Sequence, residues 1–270
     1  PPLVGVALQQ RKDPPENLES TSKGRPLHRA QEEHRRCGTT AANTHMTRLR
    51  ILCFHSFRLS GDNMRKQLFD LANLGASLAD LATLDFVDGG HRLGDDALPE
   101  RLQALFPPPY FEWWNAREGA GGTAIYDHLE ASLAKVERHI AEHGPYDGYL
   151  GFSQGGCVAH TLSLLSMRDP SFASRVPAPR FAILLSCRLS RHTEHSELVA
   201  GAAAAPLPLP SLVLYGGKDT DVPPAMTREL MATLDPAGVR EIYLPLGGHR
   251  VPNLGEEEVA VLRRFLKSVQ

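Results

Sequence analysis

The sequence predicts an α/β fold: a doubly wound, mostly parallel sheet flanked by helices. Three observations predict it. Short apolar runs rich in β-formers alternate with stretches of helical period from about residue 49 to the C-terminus. That order builds parallel sheets through right-handed crossovers. One alternation turns on Gly151-Phe152-Ser153-Gln154-Gly155-Gly156, where a strand-forming lead-in and an apolar helical segment flank a Ser. Two further loops, holding Asp219 and His249, also begin just past the end of an apolar run.

Composition bounds the rest. The chain has 270 residues and is 42% hydrophobic, enough for one sizeable core. Its net charge is −2, with no basic stripe for nucleic acid and no acidic tail for a basic partner. No apolar run is long enough to span a membrane. The first residues lack the charged start and apolar core of a signal peptide, so secretion is not expected. Cys37, Cys53, Cys157 and Cys187 are scattered without a Cys-x-x-Cys pair. Reduced thiols and a cytoplasmic location fit that pattern.

In chain order, residues 1–47 read as a disordered polar extension, with frequent Pro, mixed charges and no apolar period. Met46 is a candidate natural start, and Asp13, Glu16, Glu19, Glu32 and Glu33 argue against a transit peptide. His28, His34, Cys37 and His45 fit no common zinc spacing. Residues 48–270 read as one domain. Arg50–Phe54 is a short buried strand ending in His55-Ser56-Phe57-Arg58, and Ser60 or Asp62 can cap a helix carrying Met64, Leu68 and Leu71. Leu84–Val87 is a second strand. Residues 92–122 are irregular, with Pro107-Pro108-Pro109 followed by Tyr110, Phe111, Trp113 and Trp114. This aromatic cluster is either ordinary core or the roof of an apolar pocket. Phe111, Trp113, Trp114 and Val251 are the candidate pocket residues.

Thr123 is expected to cap an amphipathic helix with Ile125, Leu129, Leu133, Val136 and Ile140 on one face, stopped by Gly144-Pro145. Tyr146–Leu150 leads into the Ser-centred turn, and Cys157–Met167 follows as a helix. Phe181–Leu185 is a strand ending at Ser186-Cys187. Residues 188–210, with an Ala run and alternating Pro, are read as a loop. Ser211–Tyr215 is a strand, Thr227–Leu234 a helix and Glu241–Leu244 the last strand. Glu256–Val269 closes the chain as a helix with acids early and bases late, as the dipole prefers.

The Ser-centred stretch has the form of a Gly-x-Ser-x-Gly nucleophile elbow. The turn is sharp, so the positions two before and two after need almost no side chain, and Gly151 and Gly155 supply that. The Gln154 N–H then sits at a helix N-terminus, where partial positive charge stabilises an oxyanion. The motif occurs by chance often enough that its partners must carry the case. Ser153, Asp219 and His249 follow three strands, in the chain order of α/β-hydrolases. A Ser hydroxyl attacks only when a base takes its proton, neutral imidazole can do so at pH 7, and a carboxylate fixes the imidazole tautomer. Asp221 competes with Asp219 by position. Asp219 is preferred because it follows Gly216-Gly217 and turns at once over the sheet, whereas Pro223 biases the chain near Asp221 outward. The loop after the first strand supplies the second oxyanion donor, read as the Phe57 N–H. His55 is expected to shape that loop rather than react, His160 to pack or solvate, and His192 and His195 form a poor metal signal.

Six motifs in order resemble one family: Arg50-Ile-Leu-Cys-Phe-His55-Ser-Phe, Phe86-Val-Asp, Trp113-Trp114, Gly144-Pro-Tyr-Asp-Gly-Tyr-Leu-Gly-Phe-Ser153-Gln-Gly, Gly216-x-x-Asp219-x-x-Val-Pro and Gly248-His249-x-Val-Pro. Together they resemble the FSH-type serine hydrolases, small esterases related to a human ovarian-tumour-associated hydrolase. The resemblance implies an α/β-hydrolase domain without cofactor or metal, acting on a small-molecule acyl ester or thioester. It assigns Ser153 as nucleophile, Asp219 as acid and His249 as base. It departs at Ser56, where the family usually has Gly. The expected activity is hydrolysis through an acyl-enzyme. An acyltransferase using the same triad, or a slowly turning-over ligand receptor, is the alternative.

Overall fold

The computed structural model describes residues 48–270 of the chain. The expectations for residues 1–47, including the tail histidines and Cys37, fall outside these residues. The elements in order are β1 (Leu49–Phe54), α1 (Gly61–Phe69), α2 (Leu74–Leu78), β2 (Ala82–Val87), β3 (His91–Arg92), α3 (Glu100–Gln103), β4 (Phe111–Glu112), β5 (Asn115–Glu118), β6 (Ala124–Asp127) and α4 (Leu129–His143). Then come β7 (Gly148–Phe152), α5 (Gln154–Arg168), α6 (Pro170–Ala173), β8 (Phe181–Leu185), α7 (Ser196–Ala204), β9 (Ser211–Gly216), α8 (Pro224–Met231), β10 (Val239–Leu244) and α9 (Glu256–Ser268).

A six-stranded parallel sheet in the order β10-β9-β8-β7-β1-β2 forms the centre. Every residue of β7, β8 and β9 is buried, which is why these strands read as unbroken apolar runs. Alternation still sorts the side chains. Leu52, Phe54, Tyr149, Leu184 and Val213 face one layer, packing with Val136 and Ile140 of α4, Val158 and Leu162 of α5, and Leu230 of α8. Ile51, Cys53, Leu150, Ile183 and Leu212 face the other, against Met64 and Leu68 of α1, Leu74 and Leu78 of α2, and Leu262, Phe265 and Leu266 of α9. Helices on both faces of a parallel sheet make the fold α/β and doubly wound. Strand order reverses between β1 and β7, and the carboxyl ends of the strands flanking such a reversal frame a crevice.

The structure corrects four local readings. The helix expected from Thr123 begins at Leu129, and Ala124–Asp127 is strand β6, antiparallel to β5. Ala124 and Tyr126 point inward and Ile125 outward, so a period of two over these residues mimics an i, i+4 extension of the helix. Residues 188–210 are not all loop: the Ala run is helix α7, which ends before Pro206, Pro208 and Pro210. Alanine's helix propensity decides there. Residues 92–122 are not irregular throughout: they contain α3 together with β4 and β5, which pair with the bordering β3 and β6, and Leu98, Leu102, Phe106 and Tyr110 cluster with Leu59. Leu71 lies past the end of α1 and is exposed, while Ser60, not Asp62, caps that helix by accepting from the Asn63 N–H.

Candidate active site

The site lies at the reversal point. Between β7 and α5, Ser153 holds φ 55° and ψ −117°, a left-handed backbone that an L-residue enters only under constraint. The constraint is close packing. A Cβ on Gly151 would meet the Gly155 carbonyl, and one on Gly155 would meet the Phe54 and His55 carbonyls of the neighbouring strand end. With hydrogen there instead, the turn closes, and the Ser153 N–H donates to the Leu185 carbonyl at 2.9 Å.

The loops after β9 and β10 are pressed together in the same way. A Cβ on Gly216 would strike Gly247, and the Lys218 N–H donates to the Gly247 carbonyl at 2.8 Å. This brings His249 over Asp219. Asp219 Oδ2 lies 2.8 Å from His249 Nδ1, and its Oδ1 accepts the N–H groups of Asp221 (3.0 Å) and Val222 (2.8 Å). The Asp219 carboxyl group is fully enclosed. A carboxylate at Nδ1 places the proton on that nitrogen and leaves Nε2 as an acceptor. His249 Nε2 is 2.9 Å from Ser153 Oγ, and the Phe152 ring backs the imidazole at 5.0 Å. Asp221 contributes its N–H to this arrangement and not its carboxylate.

Phe57 and Gln154 line the same cavity of about 310 Å³ as Ser153. Among the described residues, neither their N–H groups nor the Ser153 Oγ is given to a backbone carbonyl. The Gln154 side chain acts elsewhere, since its Oε1 accepts the Trp113 N–H at 3.2 Å and its Nε2 donates to the Trp114 carbonyl at 2.9 Å. His55 braces the loop that carries Phe57. Its Nδ1–H donates to the Ser56 carbonyl at 2.7 Å and its Nε2 accepts the Gly89 N–H at 2.9 Å. Burial lowers its pKa to about 4, so it stays neutral in that bridge.

Of the expected pocket residues, only Trp114 lines the cavity, its ring stacked on Tyr126 at 4.4 Å. Trp113 is entirely buried behind it, its Nε1–H donating to the His55 carbonyl at 2.9 Å and its ring against Phe54 and His55. Phe111 meets Lys135 and the strand bridge to Leu59 instead. Val251 packs in the core layer that holds Leu254 and Phe265. Sequence reading missed Arg58, Tyr126, Cys157, Arg188, Arg191 and Val222, which all line the cavity. Position at a strand end was the available signal for Arg58, Arg188 and Val222, while Tyr126 falls within the stretch expected as helix. Burial pushes the Cys157 thiol up to about 12, which keeps it protonated and unreactive beside Ser153.

The other histidines are engaged elsewhere. His160 is buried with Nε2 2.8 Å from Thr233 Oγ1, and His195 Nδ1 lies 2.8 Å from Ser190 Oγ. His192 Nδ1 accepts the Glu194 N–H at 3.2 Å, and its ring lies 5.0 Å from that of His195. His91, Glu112 and His128 bring one ligand atom each within 4.8 Å of one another, a set that could hold a metal; the two rings stack face to face at 3.7 Å. None of the three touches Ser153, Asp219 or His249. Among the described residues, no helix is long and apolar enough to cross a membrane.

Comparison with known proteins agrees with this architecture. Human esterase OVCA2 is 31% identical over 227 residues, covering 80% of this chain and 94% of that protein. Esterase OVCA2 of Danio rerio is 29% identical over 237 residues, covering 82% and 98%. Among solved structures, Zea mays acyl-protein thioesterase 2 matches with a TM-score of 0.51 at 19% identity over 84% of this chain and 95% of that one, a likeness of α/β-hydrolase fold. A family model described as serine hydrolase (FSH1) matches residues 44–261. Most of the chain, from the strand before the Phe57 loop to the helix after His249, therefore belongs to the FSH1 family of serine hydrolases.

Proposed function

We propose that this protein is a serine esterase or thioesterase that cleaves acyl esters through an acyl-enzyme, with Ser153 as nucleophile, His249 as general base and Asp219 as the group that orients and stabilises it. His249 Nε2 takes the Ser153 proton as Oγ bonds to the substrate carbonyl carbon. The carbonyl electrons move onto oxygen, which accepts the Phe57 and Gln154 N–H groups at the N-terminus of α5. The tetrahedral intermediate collapses, the C–O or C–S bond breaks, and the imidazolium gives its proton to the departing alcohol or thiol. Water then adds to the acyl carbon as His249 accepts its proton. A second collapse releases the acid and returns the proton to Ser153.

The observation that carries this reading is the unbroken hydrogen-bonded line from Asp219 through His249 to a serine held at φ 55° on a helix N-terminus. The cavity of about 310 Å³ admits a small acyl group. Labelling with a fluorophosphonate probe tests it. The native chain should label covalently, and Ser153→Ala should neither label nor turn over, with a loss of up to about a millionfold. Labelling of the variant at the native rate would place the nucleophile elsewhere.

A further inference from the structure

Three arginines, Arg58, Arg188 and Arg191, line the cavity that contains Ser153. Among the described residues, no carboxylate oxygen lies within 4.0 Å of any of the three guanidinium groups, whereas Arg117, Arg175, Arg180 and Arg263 are all ion-paired elsewhere on the molecule. Glu229, whose charge favours the charge on Arg188, is exposed on α8 and makes no ion pair with it. Arg58 Nε is buried and has no hydrogen-bond partner. An unpartnered buried donor on a cation is costly, and native structures keep such groups where a ligand completes them.

The surrounding fold fixes the main chain that carries the exposed Arg191. Arg191 is fixed through its main chain on both sides: its N–H donates to Tyr126 Oη at 2.8 Å and its carbonyl accepts the Ala124 N–H at 2.6 Å. Arg58 occupies a left-handed backbone, φ 57°, one residue after Phe57, and its guanidinium lies 4.9 Å over the Phe57 ring. Non-glycine residues held at positive φ cluster at functional sites. Burial and the charge of Arg191 both disfavour the charge on Arg188. Two like charges brought together at the edge of a partly closed cavity are relieved by an anion between them.

We propose that the substrate carries an anionic group, a carboxylate or phosphate, which Arg58, Arg188 and Arg191 bind while its acyl carbonyl meets Ser153. This rests on the hydrolase reading above and names the substrate class of that same site. Guanidinium groups suit both anions because each presents two parallel N–H donors to two oxygens. The anion has two possible sources: the far end of the acyl group, as in a dicarboxylic monoester, or the leaving group, as in a phosphorylated thiol.

The test compares kcat/KM for four substrates: p-nitrophenyl butyrate, the p-nitrophenyl monoester of glutaric acid, S-butyryl coenzyme A, and S-butyryl pantetheine as the thioester without phosphates. The proposal expects the glutarate monoester to exceed the neutral ester, or the coenzyme A thioester to exceed the pantetheine thioester, by at least tenfold. Which pair separates identifies the source. In Arg188→Gln and Arg191→Gln, that ratio should fall at least tenfold, chiefly through KM. Added salt should erode it in the native protein, because exposed parts of the contact are screened. Arg188→Lys, which keeps charge without the planar fork, should restore part of the ratio and guards against a folding defect in the glutamine variant. Hydrolysis of the neutral substrates with no preference for either anionic partner, or a ratio unmoved by the arginine variants, would overturn the proposal. Failure of all four substrates together with absent fluorophosphonate labelling would instead overturn the hydrolase reading beneath it.

Discussion

Asp219 and Asp221 sit two residues apart in one loop, and backbone geometry separates their roles. The N–H groups of Asp221 and Val222 both point at Asp219 Oδ1, so the loop curls around the Asp219 carboxyl group and delivers its other oxygen to His249. Asp219→Asn keeps the shape but offers an amide where the imidazole needs a carboxylate. Turnover should fall by about ten-thousandfold. Asp221→Asn retains the N–H that matters and should lose less than tenfold. Steady-state kinetics on the two purified variants checks this, and the opposite ranking would exchange their roles.

At the scale of elements, Trp113 and Trp114 are neighbours on the segment between β4 and β5, with opposite fates. Gln154 clamps both by their main chain, turning Trp113 into the core and Trp114 into the cavity. Trp113→Ala should therefore destabilise the fold by about 3–5 kcal/mol in urea unfolding and depress all substrates alike. Trp114→Ala should instead change the preference among acyl chain lengths, each lost methylene contact being worth about 0.8 kcal/mol. Equal chain-length profiles for the two variants would remove Trp114 from the acyl site. The same segment shows where the sequence was legible. β1, β7, β8 and β9 stood out because strands buried on both faces need unbroken apolar runs, and the proximity of Ser153, Asp219 and His249 followed from strand ends meeting on one edge. Tyr126 and Arg191 did not stand out. Their places depend on β6 pairing with β5 and bonding to the loop after β8, contacts distant in sequence and carried by side chains that also fit a helix or a surface loop.

For the whole molecule, part of the pH dependence of stability follows from two fully buried histidines. Burial lowers His55 and His160 from an ordinary 6.5 to about 4 each. The unfolded chain protonates both near 6.5, so between pH 6.5 and 4 it binds more protons than the native state. Their stabilising contribution is complete above 6.5 and is lost on acidification, at up to about 1.4 kcal/mol per pH unit for each. Thermal melts at pH 7.5, 6 and 5 should show a falling Tm. His160→Gln, which keeps a partner for Thr233, should flatten that fall. A Tm indifferent to pH over this range would mean that both rings gain protons without unfolding.

The sheet order has one more consequence. Ser153 and Phe57 follow central strands, each with a neighbour on both sides, whereas His249 follows β10, which pairs with β9 alone. On the proposed mechanism, a chain that had lost only the grip of its outermost strand would keep Ser153 and its tryptophans and yet be chemically silent, because its general base would be displaced. On that mechanism, activity would report on the rim of the sheet rather than on its centre.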